Sequence, residues 1–285
     1  MSYQPRHVRA LYLRTRLEAT PGVSEAPLGS GDDFPNTIRS LGFSLEEREY
    51  SETRGPGSRM IQSQEMLARR YPVRTEFEVH SGAWLLGALW DATNDEVYSH
   101  TFELCNEANY GWAFTGVKCN SLRLSASERG ILVAEADWLA LSAQAAGGFT
   151  WDAPQHRPYV FARGVFAVEG VGGDVTGVDL RVDNNLQESY PMQAALPAVG
   201  YEYDPKYLIA GGFRVACDLA MRTPFDISYE ADDLSAVLIF ESAFGLLTIN
   251  LTDGVFRSQA LDAPQDDLIS YTVPMVFRDI SIVET

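Results

Sequence analysis

Paired carboxylates are the side chains of this chain that could do chemistry. Glu76 and Glu78 lie two positions apart in a segment where apolar and charged residues alternate, so both project from one face of a strand. Two facing carboxylates can serve as the acid and the base of glycoside hydrolysis. Nothing in the sequence places this pair in a cleft, and a solvated strand face explains the same pattern. A glycoside-acting enzyme is therefore one candidate function, and loss of turnover in Glu76→Gln would support it.

Other catalytic and metal-binding patterns are absent from the sequence. There is no Walker loop, no GxSxG and no HExxH segment. The aspartate pairs at 32–33, 232–233 and 266–267 could attract a cation, but adjacent loop acids are usually solvated. The histidines show no ligand spacing; they are His7, His80, His100 and His156. We predict no enzymatic activity, no catalytic residue, no metal and no cofactor.

Composition and charge indicate a folded acidic protein. The chain has 285 residues, of which 46% are apolar and 11% aromatic, enough for two cores of ordinary size. Its 39 acidic and 22 basic residues give a formal charge of -17, which argues against sequence-specific DNA binding. No run of about 20 apolar residues is present, so no membrane partner is expected, and the first residues lack an apolar signal core. Cys105, Cys119 and Cys217 fit reduced, buried thiols in a protein made in the cytoplasm.

The hydrophobic pattern predicts a mainly β protein. Residues 71–80 alternate cleanly, with Val73 and Phe77 on one face and charged residues on the other. Residues 81–92 change to a helical period, and a second helical or turning segment is expected near 224–234. Two long polar inserts cover residues 48–70 and 184–212. Strands are predicted over residues 7–17, 41–47, 71–80, 98–105, 112–124, 131–141, 160–169, 178–183, 213–219, 236–241, 246–251 and 269–278.

Three weak internal matches suggest that the pattern occurs twice. Residues 42–45 match 177–180, residues 116–117 match 254–255, and residues 132–140 match 269–277, each displaced by about 135 positions. We therefore predict an N-terminal strand and extended arm (residues 1–36), a first β unit (37–142), a linker (143–159) and a second β unit (160–285). Each unit runs strand, long insert, strand, short helix and further strands, which is typical of a sandwich or a small barrel.

Several segments resemble the tail tube (major tail) proteins of long-tailed bacteriophages. The segment 177–186, in which a strand ends at Asn184 and Asn185 before a long insert, is similar to a motif of that family. So are the segments 18–22, 42–50 and 206–212. The resemblance extends over about residues 8–280, and it depends on the order and spacing of the segments.

The resemblance implies a structural protein of the virion tail. Family members form a small β-barrel or sandwich with a flanking helix, and copies pair edge to edge into rings that stack into a tube for DNA passage. Two units in one chain imply a trimeric ring with pseudo-sixfold symmetry, or else a hexamer. The implied partners are other copies of the chain, the tape measure protein, the tail terminator and baseplate proteins, and double-stranded DNA that passes without specific binding. The implied location is the virion tail, after synthesis in the host cytoplasm.

Two groups of site residues follow from this resemblance. The inserts are expected to contact the neighbouring ring, and their candidate contact residues are Arg54, Arg59, Met60, Tyr190, Tyr201 and Tyr203. The channel wall needs a polar strand face, and a negative one would keep phosphate from binding. Arg74, Arg181 and Arg214 lie on the same faces and could pair with the acids. The candidate lumen residues are Glu76, Glu78, Glu135, Asp137, Asp179, Asp183 and Asp218.

A further candidate function is a carbohydrate- or receptor-binding β module of a virion. Such a module would use exposed tyrosine and tryptophan side chains near residues 110–112 and 201–207. Electron microscopy separates these hypotheses, because a tube subunit forms tubes of uniform width and a binding module forms discrete particles.

Overall fold

The structure of the chain, a computed structural model, describes most of its residues. The described residues are 11–44, 47–54, 61–82, 84–85, 90–91, 96–106, 111–147, 158–189, 206–209, 214–222, 232–243, 245–257, 260–262 and 270–285. Below, residues 11–147 are called the first half and residues 158–285 the second half.

Most of the described residues form strands, with 3-10 helix at Ser30–Asp32 and at residues 84–85. The strands of the first half are β1 (Leu11–Leu17), β2 (Thr37–Phe43), β3 (Glu47–Arg54), β4 (Ile61–Glu78), β5 (Trp90–Asp91), β6 (Glu96–Val97), β7 (Ser99–Asn106), β8 (Gly111–Ser127), β9 (Val133–Ala140) and β10 (Ser142–Ala146). Those of the second half are β11 (Val160–Val168), β12 (Val171–Gly172), β13 (Val175–Asp183), β14 (Leu186–Ser189), β15 (Lys206–Ile209), β16 (Arg214–Met221), β17 (Asp232–Glu241), β18 (Leu246–Phe256), β19 (Ala260–Asp262), β20 (Ser270–Phe277) and β21 (Asp279–Glu284).

The predicted fold class, mainly β, is confirmed. Seventeen strands belong to one large antiparallel sheet that is not closed on itself, and two small sheets pair β14 with β15 and β5 with β6. Among the described residues, no helix has the length and apolar character needed to cross a membrane.

The order of strand pairing is the same in the two halves. In the first half β2, β4, β9 and β8 pair in that order, and in the second half β13, β16, β20 and β18 do so. A second set of strands also corresponds, because β1, β7, β8 and β10 pair in the same order as β11, β17, β18 and β21. The end of β8 pairs with β13, so the first set of strands continues from one half into the other.

The long strands β8 and β18 each belong to both sets, and a glycine lies where each changes neighbours. Gly116 has φ +67°, a backbone conformation that L side chains rarely adopt. A Cβ atom at Gly254 would lie 2.3 Å from Cε1 of Phe277. Phe102 of the second set and Trp138 of the first set pack against each other in the hydrophobic core, with their ring centroids 5.1 Å apart. The two sets of strands therefore pack as two layers on one buried cluster that spans both halves.

Several predicted elements differ from the structure. The insert 48–70, for which no strand was predicted, forms a hairpin of β3 and β4, and β4 continues from it into the main sheet. The insert 184–212 likewise contains a small hairpin of β14 and β15. Trp90 and Asp91 form a strand, so a helix over 81–92 does not reach its predicted end; residues 83 and 86–89, like most of 224–234, lie outside the described residues. Strands β10 and β21 were not predicted, because β10 is short and rich in alanine and β21 follows β20 after only one residue.

The segment 18–36 lies across the outer layer of the first half. Glu18 is buried, and its carboxylate accepts hydrogen bonds from Ser99 Oγ at 2.7 Å, Thr101 Oγ1 at 2.9 Å and the Gly116 amide at 2.8 Å. It also accepts one from the Gly22 amide at 2.6 Å. The carboxylate therefore joins this segment to β7 and to the bend of β8.

Candidate functional site: the charged face of the sheet

All seven predicted acids lie on one face of the continuous sheet. Residues directly opposite in neighbouring strands project to the same side. The register places Glu76 opposite Glu135, Glu135 opposite Arg123, and Arg123 opposite Arg181, which connects β4 to β13 through β9 and β8. The face so defined is called the charged face. Its acidic members are Glu76, Glu78, Glu135, Asp137, Asp179, Asp183 and Asp218.

Arginines are interleaved with these acids in the first half and at the connection between the halves. Arg74 Nε donates to Asp137 Oδ1 at 2.6 Å, and Arg39 Nε donates to Glu78 Oε1 at 3.2 Å. The hydrogen bond and the charge of Asp137 raise the pKa of Arg74. Most of these side chains are partly exposed, so each pair contributes little to stability, but together they fix the side chains on the sheet.

One ion pair crosses from β8 to β13. Arg123 donates to both carboxylate oxygens of Asp179, with the shortest distance 2.5 Å from Nη2 to Oδ2. The hydrogen bonds to Asp179, followed by its charge, raise the pKa of Arg123. A two-point contact of this kind fixes orientation as well as distance. It reinforces the backbone pairing that connects the two halves.

The charged face of the second half is differently composed. Asp179 lies directly opposite Asp218, and burial followed by the charge of Asp179 raises the pKa of Asp218. Within the described part of the chain Asp218 has no ion pair within 4 Å. On β20 the positions facing the same side are Thr272, Pro274 and Val276, where β9 has Glu135, Asp137 and Leu139.

A depression of about 430 Å³ lies on the charged face of the first half. Its lining includes Arg74, Arg123 and Arg181 together with Glu76, Glu135 and Asp137. Opposite charges alternate around it, so it offers no single-sign pocket for an anion or a cation. A surface of this kind can contact a charged polymer without binding it tightly, because few charges are left unneutralised.

Asn184, singled out in the sequence for its place at a strand end, also joins the two halves. Its side chain is fully buried and donates to the Cys119 carbonyl at 2.8 Å. The Asn184 amide donates to the Asn120 carbonyl at 2.9 Å, and the Leu186 amide donates to the Asn120 side chain at 3.0 Å. Asn185 has φ +48°, which asparagine tolerates better than most residues.

The predicted stacking residues are only partly described. Arg54 ends β3 opposite Ile61, at the far end of the first hairpin. Arg59, Met60, Tyr190, Tyr201 and Tyr203 lie outside the described residues. Of the aromatic residues proposed for ligand binding, Trp112 is half-buried against Phe43 at 5.2 Å, and Tyr110 lies outside the described residues.

The other side chains considered for chemistry have structural contacts. Glu76 is hydrogen-bonded to Ser40 at 3.1 Å on an open sheet face. Asp32 pairs with Arg16 and Asp33 pairs with Arg14, while residues 266–267 lie outside the described part. No cluster of three or more potential metal ligands occurs among the described residues. Sequence reasoning missed Arg39 and Arg123; the alternation of residues 121–127 could have revealed Arg123, whereas the bulge at Arg39 breaks the alternation in β2.

The fold and the charged face together define a class: an all-antiparallel β protein with a polar sheet face, projecting hairpins and open strand edges, without a catalytic constellation among its described residues. A family model for phage tail tube protein matches residues 10–281, nearly the whole chain. The chain therefore belongs to the phage tail tube protein family. No curated protein matches it.

Proposed function

We propose that the chain is a structural subunit of a phage tail tube, whose copies form stacked rings around a channel for DNA. The observation that carries this proposal is the continuous charged face, which runs through both halves across the pairing of β8 with β13. A subunit that contributes such a face to a closed ring supplies a polar inner wall, while its other layer faces outward. Ring closure also removes open strand edges, which otherwise promote uncontrolled association.

The chain is proposed to comprise two tandem tail-tube-like units. Their bounds are those expected from the sequence, 37–142 and 160–285, with residues 1–36 as an N-terminal segment and 143–159 as a linker. The repeated order of strand pairing supports two units, and it extends the first unit to β1 and β10, which correspond to β11 and β21 of the second. The positive φ shared by Gly116 of β8 and Asp253 of β18, which hold equivalent positions, also supports two units. Each unit is proposed to carry a short helix beside its sheet, for which the helical period near residues 81–89 is the support.

We further propose three chains in each ring. Two units in a chain joined edge to edge give six units in a trimer, which matches a pseudo-sixfold ring. A hexamer of chains, with the second half outside, would instead leave β13 and β16 away from the channel. The pairing of β8 with β13 favours the trimer, because it places the charged faces of both halves on one sheet.

Electron microscopy of the purified full-length chain tests the function. The expected result is hollow tubes of uniform width, with three-fold symmetry about the axis in averaged images. Discrete particles at all protein concentrations would contradict a tube subunit, and six-fold symmetry with one half outside would contradict the trimer.

The channel wall is proposed to be the charged face, with double-stranded DNA passing over it without specific binding. The net acidic composition of the face limits phosphate contacts, and Arg74, Arg123 and Arg181 are paired with neighbouring carboxylates. Replacing Glu135 and Asp218 together by lysine should slow DNA release while tubes still assemble, because neither acid has a described ion pair to lose. Ejection kinetics from phage that carry the variant measure this effect, and unchanged kinetics would contradict a lumen position.

The β3–β4 hairpin is proposed to contact the next ring. Residues 49–68 can be replaced by an Asn-Gly turn that joins Arg48 to Arg69, which lie opposite one another in the hairpin. The shortened chain should still fold and form rings but should not stack into long tubes. Tubes of normal length from this variant would show that the hairpin has another role.

The tape measure protein and the tail terminator and baseplate proteins are the remaining proposed partners, in the virion tail.

A further inference from the structure

Two strands at opposite ends of the continuous sheet have one described partner each. Strand β2 pairs with β4, and strand β19 pairs with β20. In the other half, the strands that correspond to them have partners on both sides, because β13 lies between β16 and β8, and the end of β8 lies between β9 and β13. The connection between the halves is therefore an internal example of the contact that the two outer edges lack.

Exposure of core-facing side chains supports this view on β2. Ile38, Leu41 and Phe43 project toward the core but are only half-buried. Their counterparts on β13 are Val175, Val178 and Leu180, which are 9%, 5% and 1% exposed. The difference arises because β8 covers the flank of β13. An apolar row at a strand edge that stays partly exposed indicates a missing neighbour.

The opposite edge shows a similar difference at Phe256, near the end of β18. Phe256 is half-buried, and its described strand partner is Met275 of β20. Cys119 holds the corresponding position on β8, opposite Trp138, and it is fully buried next to Asn184, which donates to its carbonyl. Each outer edge of the sheet thus has an apolar side chain whose counterpart is covered at the internal connection.

The register of the missing contact can be obtained from the internal one. A bulge at Arg39 on β2 corresponds to a bulge at Thr176 on β13, so Gly42 corresponds to Asp179. Ala260 lies opposite Thr272, as Arg123 lies opposite Glu135, so Asp262 corresponds to Ser125.

We propose that β2 of one copy pairs antiparallel with β19 of a second copy, with Gly42 opposite Asp262, as Asp179 lies opposite Ser125 within the chain. This contact rests on the proposed function, and it specifies which strands join and in which register. It lacks the charge pair of the internal connection, because Gly42 and Ala260 stand where that connection has Asp179 and Arg123. Backbone pairing and apolar burial hold it, so assembly should depend little on salt.

Cysteine cross-linking of the full-length chain tests the register. The variant Gly42→Cys with Asp262→Cys places two thiols directly opposite across the proposed contact. A Cβ atom at Gly42 meets nothing within 4 Å, so the first change should be tolerated. The native cysteines are buried, and the parent chain serves as the background control.

Two further double-cysteine variants serve as the positive and the negative control for cross-linking. Ser125→Cys with Asp179→Cys joins residues that are opposite within one chain, so it should give a cross-linked monomer only. Ser40→Cys with Asp262→Cys keeps the same strand face but displaces one thiol by two residues, beyond the reach of a disulfide.

After mild oxidation of assembled protein, we expect the Gly42→Cys/Asp262→Cys chain to shift from the monomer band to a series of multimers on a non-reducing gel. The series should end at a fixed number of chains, because the ring closes. The Ser40→Cys/Asp262→Cys chain should remain monomeric.

Electron microscopy of the same samples distinguishes the two ways to fail. Tubes without cross-linked multimers, or equal cross-linking of the displaced pair, would overturn the proposed register while leaving the tube function intact. Absence of any ring or tube from the parent chain would overturn the proposed function, and the contact with it.

Discussion

The two halves of the molecule pair their strands in the same order but cover their outer layers differently. In the first half, residues 18–36 connect β1 to β2 and lie over β1 and β7. In the second half, residues 169–174 make the corresponding connection from β11 to β13, and they are too few to cover the layer. Arg14 and Glu103 are buried beneath the longer connection, whereas Val165 and Val283 are 58% and 46% exposed on the second half.

This difference shows which features of the fold constrain the sequence. The pairing order depends on core-facing side chains, which alternate in both halves. The connection between the first two strands lies outside the core and can vary in length at low entropic cost. Substitutions in the two halves test how far the halves share the same structural constraints.

The largest effect is expected at the bends of β8 and β18. Gly116→Ala places a Cβ atom 2.5 Å from Leu141 at a positive φ, and Gly254→Ala places one 2.3 Å from Phe277. Each should lower the free energy of unfolding by about 3 kcal/mol, because the added Cβ atom overpacks the interior at both positions and a positive φ adds backbone strain at Gly116. Urea unfolding of the unassembled chain measures the loss.

Gly42→Ala is the control for the bends, because a Cβ atom there meets nothing within 4 Å. Its effect should stay within about 0.5 kcal/mol, as for other exposed positions. If only one of the two bend variants is destabilised, the halves do not bend alike, and the correspondence of β8 with β18 is weakened.

A smaller effect is expected where the halves differ. Glu18 and Glu169 each follow the first strand of their half. The backbone amide of Glu18 donates to the Ser99 carbonyl, and that of Glu169 donates to the Ser235 carbonyl. Glu18→Gln turns one oxygen of a buried acceptor into a donor that faces other donors, so it should cost about 2 kcal/mol. Glu169 is exposed, and Glu169→Gln should cost less than about 0.5 kcal/mol.

Thermal unfolding of the two glutamine variants side by side measures this contrast. Equal losses would mean that the four hydrogen bonds of Glu18 contribute no more than a surface contact. A loss confined to Glu18→Gln would identify residues 18–36 as a stabilising part of the first half.

Much of the sheet was predictable from the sequence because alternation is a local signal. The strands around residues 71–80 and 213–219 alternate without interruption, and both are in the sheet. The seven acids were assigned to one kind of face on the same basis, and the register places them on one face. The hairpin of β3 and β4 was not predicted, because its strands are polar and lack the alternation of apolar and polar residues that marks a strand packed on a core.

Contacts between distant segments were also beyond the sequence. The internal match aligned Gly42 with Gly177, but the bulges at Arg39 and Thr176 align Ser40 with Gly177 instead. A bulge adds one residue to one strand, and composition does not reveal which strand contains it. The pairing of β8 with β13 was likewise invisible, because both strands have the same alternating pattern whether or not they meet.

The smallest effect concerns the charged face, where the same substitution should have opposite signs in the two halves. Asp137→Asn removes the ion pair with Arg74 and should lower the free energy of unfolding by about 0.5 kcal/mol at low salt. Asp218→Asn removes a carboxylate that faces Asp179 and should raise it by about 0.5 kcal/mol at pH 7.

The pH dependence of the free energy of unfolding gives the sign of the Asp218→Asn effect independently. The pKa of Asp218 is raised in the folded chain, chiefly by burial and then by Asp179, so this group stabilises the fold at low pH and loses that contribution as pH rises through its folded pKa. The gain from Asp218→Asn should therefore shrink when urea unfolding is repeated at pH 4. A gain that is equal at both pH values would show that the opposed aspartates do not destabilise the face, and the two halves would then differ in composition but not in electrostatic strain.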